Sequence, residues 1–136
     1  MRAGSAFTPA QEARLAKALS AAEAGSGFRF ALAVGPSESG GDLREEGERA
    51  LARLADGRPV GAILVLVDPA SRRLEILTTS AARRRLTDQQ CGLAALSMTS
   101  SFGVGDLMAG LVNGIRMLAD GAAAPEHAPQ LGSARG

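Results

Sequence analysis

One run of the sequence is apolar without interruption, from Ala62 to Val67, and Asp68 follows it directly. A strand covered on one face alternates apolar and polar residues, whereas a continuous run is typical of a strand covered on both faces. Burial on both faces requires a layer of other elements on each side of the sheet. The run therefore predicts a sheet enclosed between helices, and the remaining elements are interpreted around it.

The segments before this run predict a helix, a strand and a second helix. Thr8, Pro9 and Gln11 form the N-cap, first position and capping box of a helix that ends near Gly25. Residues 28–34, FRFALAV, then alternate with the period of two that a strand shows. Asp42 begins another helix, which ends at residues 56–59. A strand, a crossover helix and a strand at this spacing predict a parallel pair.

The segments after the run predict an antiparallel strand and a helical second half. Asp68 and Pro69 suit the first two positions of a type I turn, and the strand LEILTT follows over 74–79. A short helical turn is predicted over 80–86. A capping box at 87–90 then begins a helix that runs through Leu93, Leu96 and Met98 to Ser100–Ser101. After a break over 102–105, a last helix is predicted from Asp106 to Gly121.

This order of helix, strand, helix, strand, strand, helix, helix predicts an α/β fold, a three-layer α/β/α sandwich with a small mixed β-sheet. The length of 136 residues suits one domain, which we expect over residues 7–121 between a flexible N-terminus, 1–6, and a disordered C-terminal tail, 122–136.

Composition narrows the class of partner. The net charge is +1 and the chain has no Trp or Tyr, so no nucleic acid is expected as a partner. A single cysteine, no secretory signal and no apolar run of membrane-spanning length predict a cytoplasmic protein with no membrane insertion.

Four segments together resemble the TPM domain family: GAILVLVD over 61–68, LEILTT over 74–79, RRRLTDQQ over 83–90 and SFGVGDLMAGLVNGIRML over 101–118. The chain resembles more closely a group of small uncharacterised bacterial proteins, a domain of unknown function with a TPM-like core. The most specific matches are Leu86-Thr87-Asp88 and the Phe102-x-x-Gly105-Asp106 entry to the last helix. The resemblance spans roughly residues 7–120.

The resemblance implies an α/β/α sandwich around a short mixed sheet. It also implies one of several roles, because some members are acid phosphatases or bind calcium at an acidic site and others are accessory proteins, some tethered to membranes. This sequence departs from the family pattern before the strand 61–68, where Asp56-Gly57-Arg58-Pro59 replaces the usual Gly-x-Gly and Asn-Gly segment.

Three acidic residues form the first candidate site. Asp68 ends a predicted strand, and Asp88 and Asp106 begin predicted helices. If one edge of the sheet brings them together, their carboxylates suit Ca²⁺ or Mg²⁺, and a bound metal could activate water for phosphate-ester hydrolysis. The alternative is local, because Asp favours the first position of a turn and the N-terminus of a helix.

Five arginines form the second candidate site. Arg72 and Arg73 lie near the predicted hairpin, and Arg83, Arg84 and Arg85 precede a predicted helix. Guanidinium groups in such a cluster could bind an anion or an acidic partner. The alternative is a solvated edge whose charges pair with neighbouring acids.

Nucleophilic catalysis has little support in the sequence. His127 is the only histidine and falls in the predicted tail, and Cys91 is interpreted as an inert helical residue. The leading prediction is therefore a non-enzymatic accessory or protein-interaction module whose partner is another protein. The alternatives are a metal-dependent, acid-phosphatase-like hydrolase and an anion-binding surface at the arginines.

Overall fold

The computed structural model describes residues 7–34, 43–56, 61–69, 71–104 and 106–123 of the chain. The described residues form five helices and three strands. In chain order these are α1 (Pro9–Ser26), β1 (Arg29–Val34), α2 (Leu43–Ala55), β2 (Ala62–Asp68), β3 (Arg73–Thr78), α3 (Ser80–Arg83), α4 (Asp88–Val104) and α5 (Leu107–Ala123). The predicted N-terminal segment and most of the predicted tail lie outside the described residues, as do residues 35–42.

The three strands form one mixed sheet in the order β1-β2-β3. β1 pairs with β2 in parallel, with Phe30 beside Ile63, and β2 pairs with β3 antiparallel, with Leu64 opposite Leu77. Every residue of the central strand β2 is buried. The continuous apolar run is therefore covered on both faces, as its sequence predicts.

Helices cover the two faces of the sheet unequally. The β2 face that presents Ile63, Val65 and Val67 belongs to the main core, to which α1, α4 and α5 contribute. On the other face, α2 lies so close that an added Cβ at Gly47 would meet Leu66 and Leu77. These layers confirm the predicted three-layer α/β/α sandwich.

Two helices extend further than their sequences predict. α4 continues through the serines to Val104. The Ser100 hydroxyl donates to the Ser97 carbonyl oxygen at 2.9 Å and that of Ser101 donates to the Met98 carbonyl oxygen at 2.5 Å, so both hydroxyls are satisfied within the helix. α5 continues past Gly121, where an added Cβ would lie 2.9 Å from Leu86 Cδ1. Close packing, rather than helix termination, explains that glycine.

Both predicted capping boxes are present. The Thr8 hydroxyl accepts from the Gln11 N–H at 3.1 Å, and the Thr8 N–H donates to Gln11 Oε1 at 2.9 Å. Thr87 and Gln90 make the same reciprocal pair at 3.1 and 2.8 Å. The start of α4 is thus fixed by local sequence.

The outer edge of β1 carries a side-chain contact from α1. Because the Arg29 N–H donates towards β2, to the Gly61 carbonyl oxygen, the next N–H along the strand points away from the sheet. That N–H, of Phe30, donates to Glu23 Oε2 at 2.9 Å.

In the described part of the chain, no helix has the length and apolar character to cross a membrane.

Candidate functional site

Of the three aspartates in the predicted acidic site, Asp68 is the one that the structure buries. It ends β2, it is 8 % exposed, and its Oδ1 is buried without a hydrogen-bond partner among the described residues. Its cross-strand neighbour is Arg73, whose own side chain is exposed. The turn hydrogen bond joins the Arg72 N–H to the Pro69 carbonyl oxygen at 3.2 Å, one residue beyond the predicted turn, so a turn-forming role does not explain the burial of Asp68 or its unsatisfied oxygen.

The other two aspartates are exposed at helix N-termini. Asp88 is the first residue of α4, and Asp106 precedes α5, where its Oδ1 accepts from the Ala109 N–H at 3.2 Å. The described residues include all three aspartates, yet they contain no group of three or more His, Cys, Asp or Glu that could hold a metal ion. The structure thus favours local roles for Asp88 and Asp106, and binding of Ca²⁺ or Mg²⁺ stays a prediction.

The five arginines do not share one end of the sheet. Arg72 and Arg73 lie where β3 begins, whereas Arg83, Arg84 and Arg85 follow its end. β3 has six residues, so its two ends are separated by about 17 Å at the usual rise of an antiparallel strand. The sequence places these residues within a short span, but an extended strand holds the two groups apart.

Two of these arginines support the chain itself. Arg83 Nη1 donates to the Thr78 carbonyl oxygen at 2.6 Å, which ties α3 to the end of β3. Arg85 Nη1 donates to the Ala122 carbonyl oxygen at 3.3 Å, near the C-terminal end of α5, where a cation is favoured. Arg84 is exposed, and an anion-binding role at the arginines remains a prediction that these contacts do not favour.

Cys91 lies in the first turns of α4 and is half-buried against the main core. Burial is the first cause that raises the pKa of its thiol, and the Asp88 carboxylate raises it further, while the Arg83 guanidinium acts in the opposite direction. The raised pKa keeps the thiol neutral at pH 7, which agrees with the interpretation of Cys91 as an inert residue.

We therefore expect slow alkylation of Cys91 by iodoacetamide at pH 7, with a rate that is still increasing at pH values above 9.0, where the rate for an ordinary thiol levels off. The same raised pKa makes the free energy of unfolding independent of Cys91 below pH 9.0 and lower above it, because ionisation then favours the unfolded chain. At a fixed pH, iodoacetamide should alkylate Cys91 faster in Asp88→Asn than in the unmodified chain, and more slowly in Arg83→Gln. Equal rates in all three proteins would contradict this electrostatic account.

A surface on α4 was not identified from the sequence. Leu93 and Leu96 are 53 % and 65 % exposed, and they are the only exposed large hydrophobic residues among those described. They share the outer side of the helix with Gln89, Gly92 and Ser100, and we call these five residues the leucine face. The sequence does carry one indication of this surface, which is the absence of any charged residue from Gln89 to Val104. A solvated helix normally carries a charged side.

A groove of about 360 Å³ lies between α1 and α5. α1 lines it with small residues only, at helical spacing: Ala18, Ala21, Ala22 and Gly25. α5 contributes Val112, Ile115, Ala119 and Ala123, together with Arg116 and Asp120. We call it the small-residue groove. It is mostly apolar and within the size range of binding pockets.

Comparisons with known proteins agree with this architecture. A family model described as "Domain of unknown function (DUF5130)" matches residues 2–119. The chain is also similar to the solved BA42 protein from the psychrophilic bacterium Bizionia argentinensis, with a TM-score of 0.75 at 17 % identity, over 87 % of this chain and 82 % of that chain.

Two further solved structures are similar. The N-terminal domain of a protein from P. gingivalis has a TM-score of 0.74 at 18 % identity, over 86 % of this chain and 76 % of that chain. The N-terminal domain of the cg2496 protein from Corynebacterium glutamicum has a TM-score of 0.68 at 14 % identity, over 97 % of this chain and 82 % of that chain. No curated protein matches. At these identities the likeness shows the fold alone.

Proposed function

This chain belongs to the family of the domain of unknown function DUF5130, and we propose that it acts as a non-enzymatic protein-interaction module whose contact surface is the leucine face. The TPM domain family, which the sequence resembles, includes accessory proteins, and an accessory role fits this proposal. The observation that carries it is the exposure of Leu93 and Leu96 on one uncharged side of α4.

The physical argument is the cost of leaving this surface in water. Burial of apolar surface contributes roughly 25 cal/mol per Å², and the two leucines, one turn apart, form a continuous apolar strip on a rigid helix. The surrounding residues Gln89 and Ser100 are polar but neutral. A partner can therefore cover the strip without having to bury an unpaired charge, which is expensive. The chemistry of such a partner is an apolar groove or helix surface of another protein.

The test uses a photoreactive amino acid placed at position 93 and, as a comparison, at the exposed α1 position 13. We expect position 93 to crosslink to a specific protein and position 13 not to. The crosslinked protein counts as a partner only when its purified form binds this chain. That binding should weaken at least about tenfold, or 1.4 kcal/mol, in the double variant Leu93→Glu/Leu96→Glu.

The matched control is Ala13→Glu/Ala16→Glu, which introduces the same two charges at the same spacing on exposed positions of α1. This control should bind as the unmodified chain does. If no protein crosslinks at position 93 above the level at position 13, or if both double variants bind normally, the leucine face is not a contact surface and the proposal is wrong.

A further inference from the structure

The chain carries two exposed apolar surfaces: the leucine face, which is convex, and the small-residue groove, which is concave. Leu93 and Leu96 are separated by three residues, or about 4.5 Å along the axis of α4. The α1 wall of the small-residue groove extends from Ala18 to Gly25, or about 10 Å at the same rise. A helix that presents two leucines one turn apart can seat both in a groove of this length, and the absence of large side chains on the α1 wall permits close approach.

From these two surfaces we infer that the partner of the leucine face is a second copy of this chain, in which the small-residue groove receives Leu93 and Leu96. The inference rests on the proposed function and names the partner of the same surface. In the free chain both surfaces leave apolar atoms in water, and each contact between two copies covers the leucine face of one copy and the small-residue groove of the other.

The distribution of charge permits this contact. The helix that enters carries no charged residue between Gln89 and Val104. The groove carries two charged residues, Arg116 and Asp120, of opposite sign and both exposed to solvent. Arg116 is held towards the N-terminal side of α5, because its Nη2 donates to Asn113 Oδ1 at 3.3 Å. Docking therefore buries apolar groups on both sides and leaves the charges at the rim.

The placement of the two surfaces determines the kind of assembly. α5 packs against α1 along one side and against α4 along the other. The groove and the leucine face are thus different surfaces of one helical layer, and each copy can donate a face and accept one at the same time. Two copies that exchange both contacts reciprocally form a closed pair, whereas copies that make only one contact with each neighbour form a series.

Two single-surface variants test the inference by sedimentation equilibrium. The face variant is Leu93→Glu/Leu96→Glu, and the groove variant is Ala21→Arg, a long side chain at an exposed position that lines the groove. We expect the average mass of the unmodified chain to rise with concentration. Each variant alone should self-associate at least about tenfold more weakly, and an equimolar mixture of the two should form a one-to-one heterodimer and nothing larger.

The control Ala13→Glu/Ala16→Glu should associate as the unmodified chain does, and circular dichroism verifies that all the variants are folded. If the face variant is monomeric and the groove variant associates normally, the contact joins two leucine faces and the inference is overturned. It is also overturned if the unmodified chain remains monomeric; in that case a different protein that binds the leucine face would leave the proposed function intact, and the lack of any such protein would overturn both.

Discussion

Replacement of Gly110 by valine is expected to lower the free energy of unfolding by about 2–3 kcal/mol. Gly110 lies where α5 crosses α4, and an added Cβ there would lie 2.6 Å from the Ser101 Cβ. Ser101 is buried and too short to move aside, and its hydroxyl is already held by the Met98 carbonyl oxygen. The two helices would therefore have to separate. Urea denaturation of the purified chain measures the change.

The matched control is Gly92→Val, in the exposed part of α4, where an added Cβ meets nothing within 4 Å. Valine and glycine differ by only about 0.5 kcal/mol in helix propensity, in favour of valine, so this variant should be equally stable or slightly more stable. If the two valine variants change the free energy of unfolding by the same amount, the crossing of α4 and α5 is not as close as the structure shows.

The substitution Asp68→Asn is expected to raise the free energy of unfolding by about 1 kcal/mol at pH 7 in the presence of a chelator. The buried Oδ1 has no hydrogen-bond partner among the described residues, and burial of an unsatisfied charged group is more expensive than burial of a neutral one. Asparagine keeps the shape of the side chain and removes the charge. The exposed Asp120→Asn, as a control, should change the stability by less than about 0.5 kcal/mol.

A loss of stability in Asp68→Asn would contradict this expectation and, because a chelator is present, would mean that the carboxylate makes a favourable contact within the chain. The metal hypothesis is tested without the chelator: if Asp68 binds Ca²⁺ or Mg²⁺, millimolar metal should raise the Tm of the unmodified chain and not that of the variant, by an amount that increases with the metal concentration. The same two proteins therefore serve both tests.

The layered fold could be predicted because its signals are local. The unbroken apolar run at 62–67 and the alternation in β1 each report how many faces of a strand are covered. The capping boxes at Thr8 and Thr87 fix two helix starts within four residues of sequence. None of these signals depends on distant parts of the chain.

The candidate surfaces were harder to predict because they depend on distant contacts. The small-residue groove joins α1 and α5, whose positions relative to each other no short pattern encodes. Leu93 and Leu96 fit a core role as well as an exposed one, since α4 has no charged side to mark which way it faces. The five arginines from Arg72 to Arg85 are close in sequence and therefore also suggested one cluster. The length of β3 separates them into two groups.

The contact between Glu23 and the edge of β1 has a consequence for how copies of this chain can meet. An edge strand with open donors is a template on which further strands, and finally cross-β fibres, can grow. A strand that approached β1 would first have to displace the Glu23 carboxylate from the Phe30 N–H. The Glu23 carboxylate therefore protects one backbone donor of this edge, at the place where an added strand would have to begin pairing.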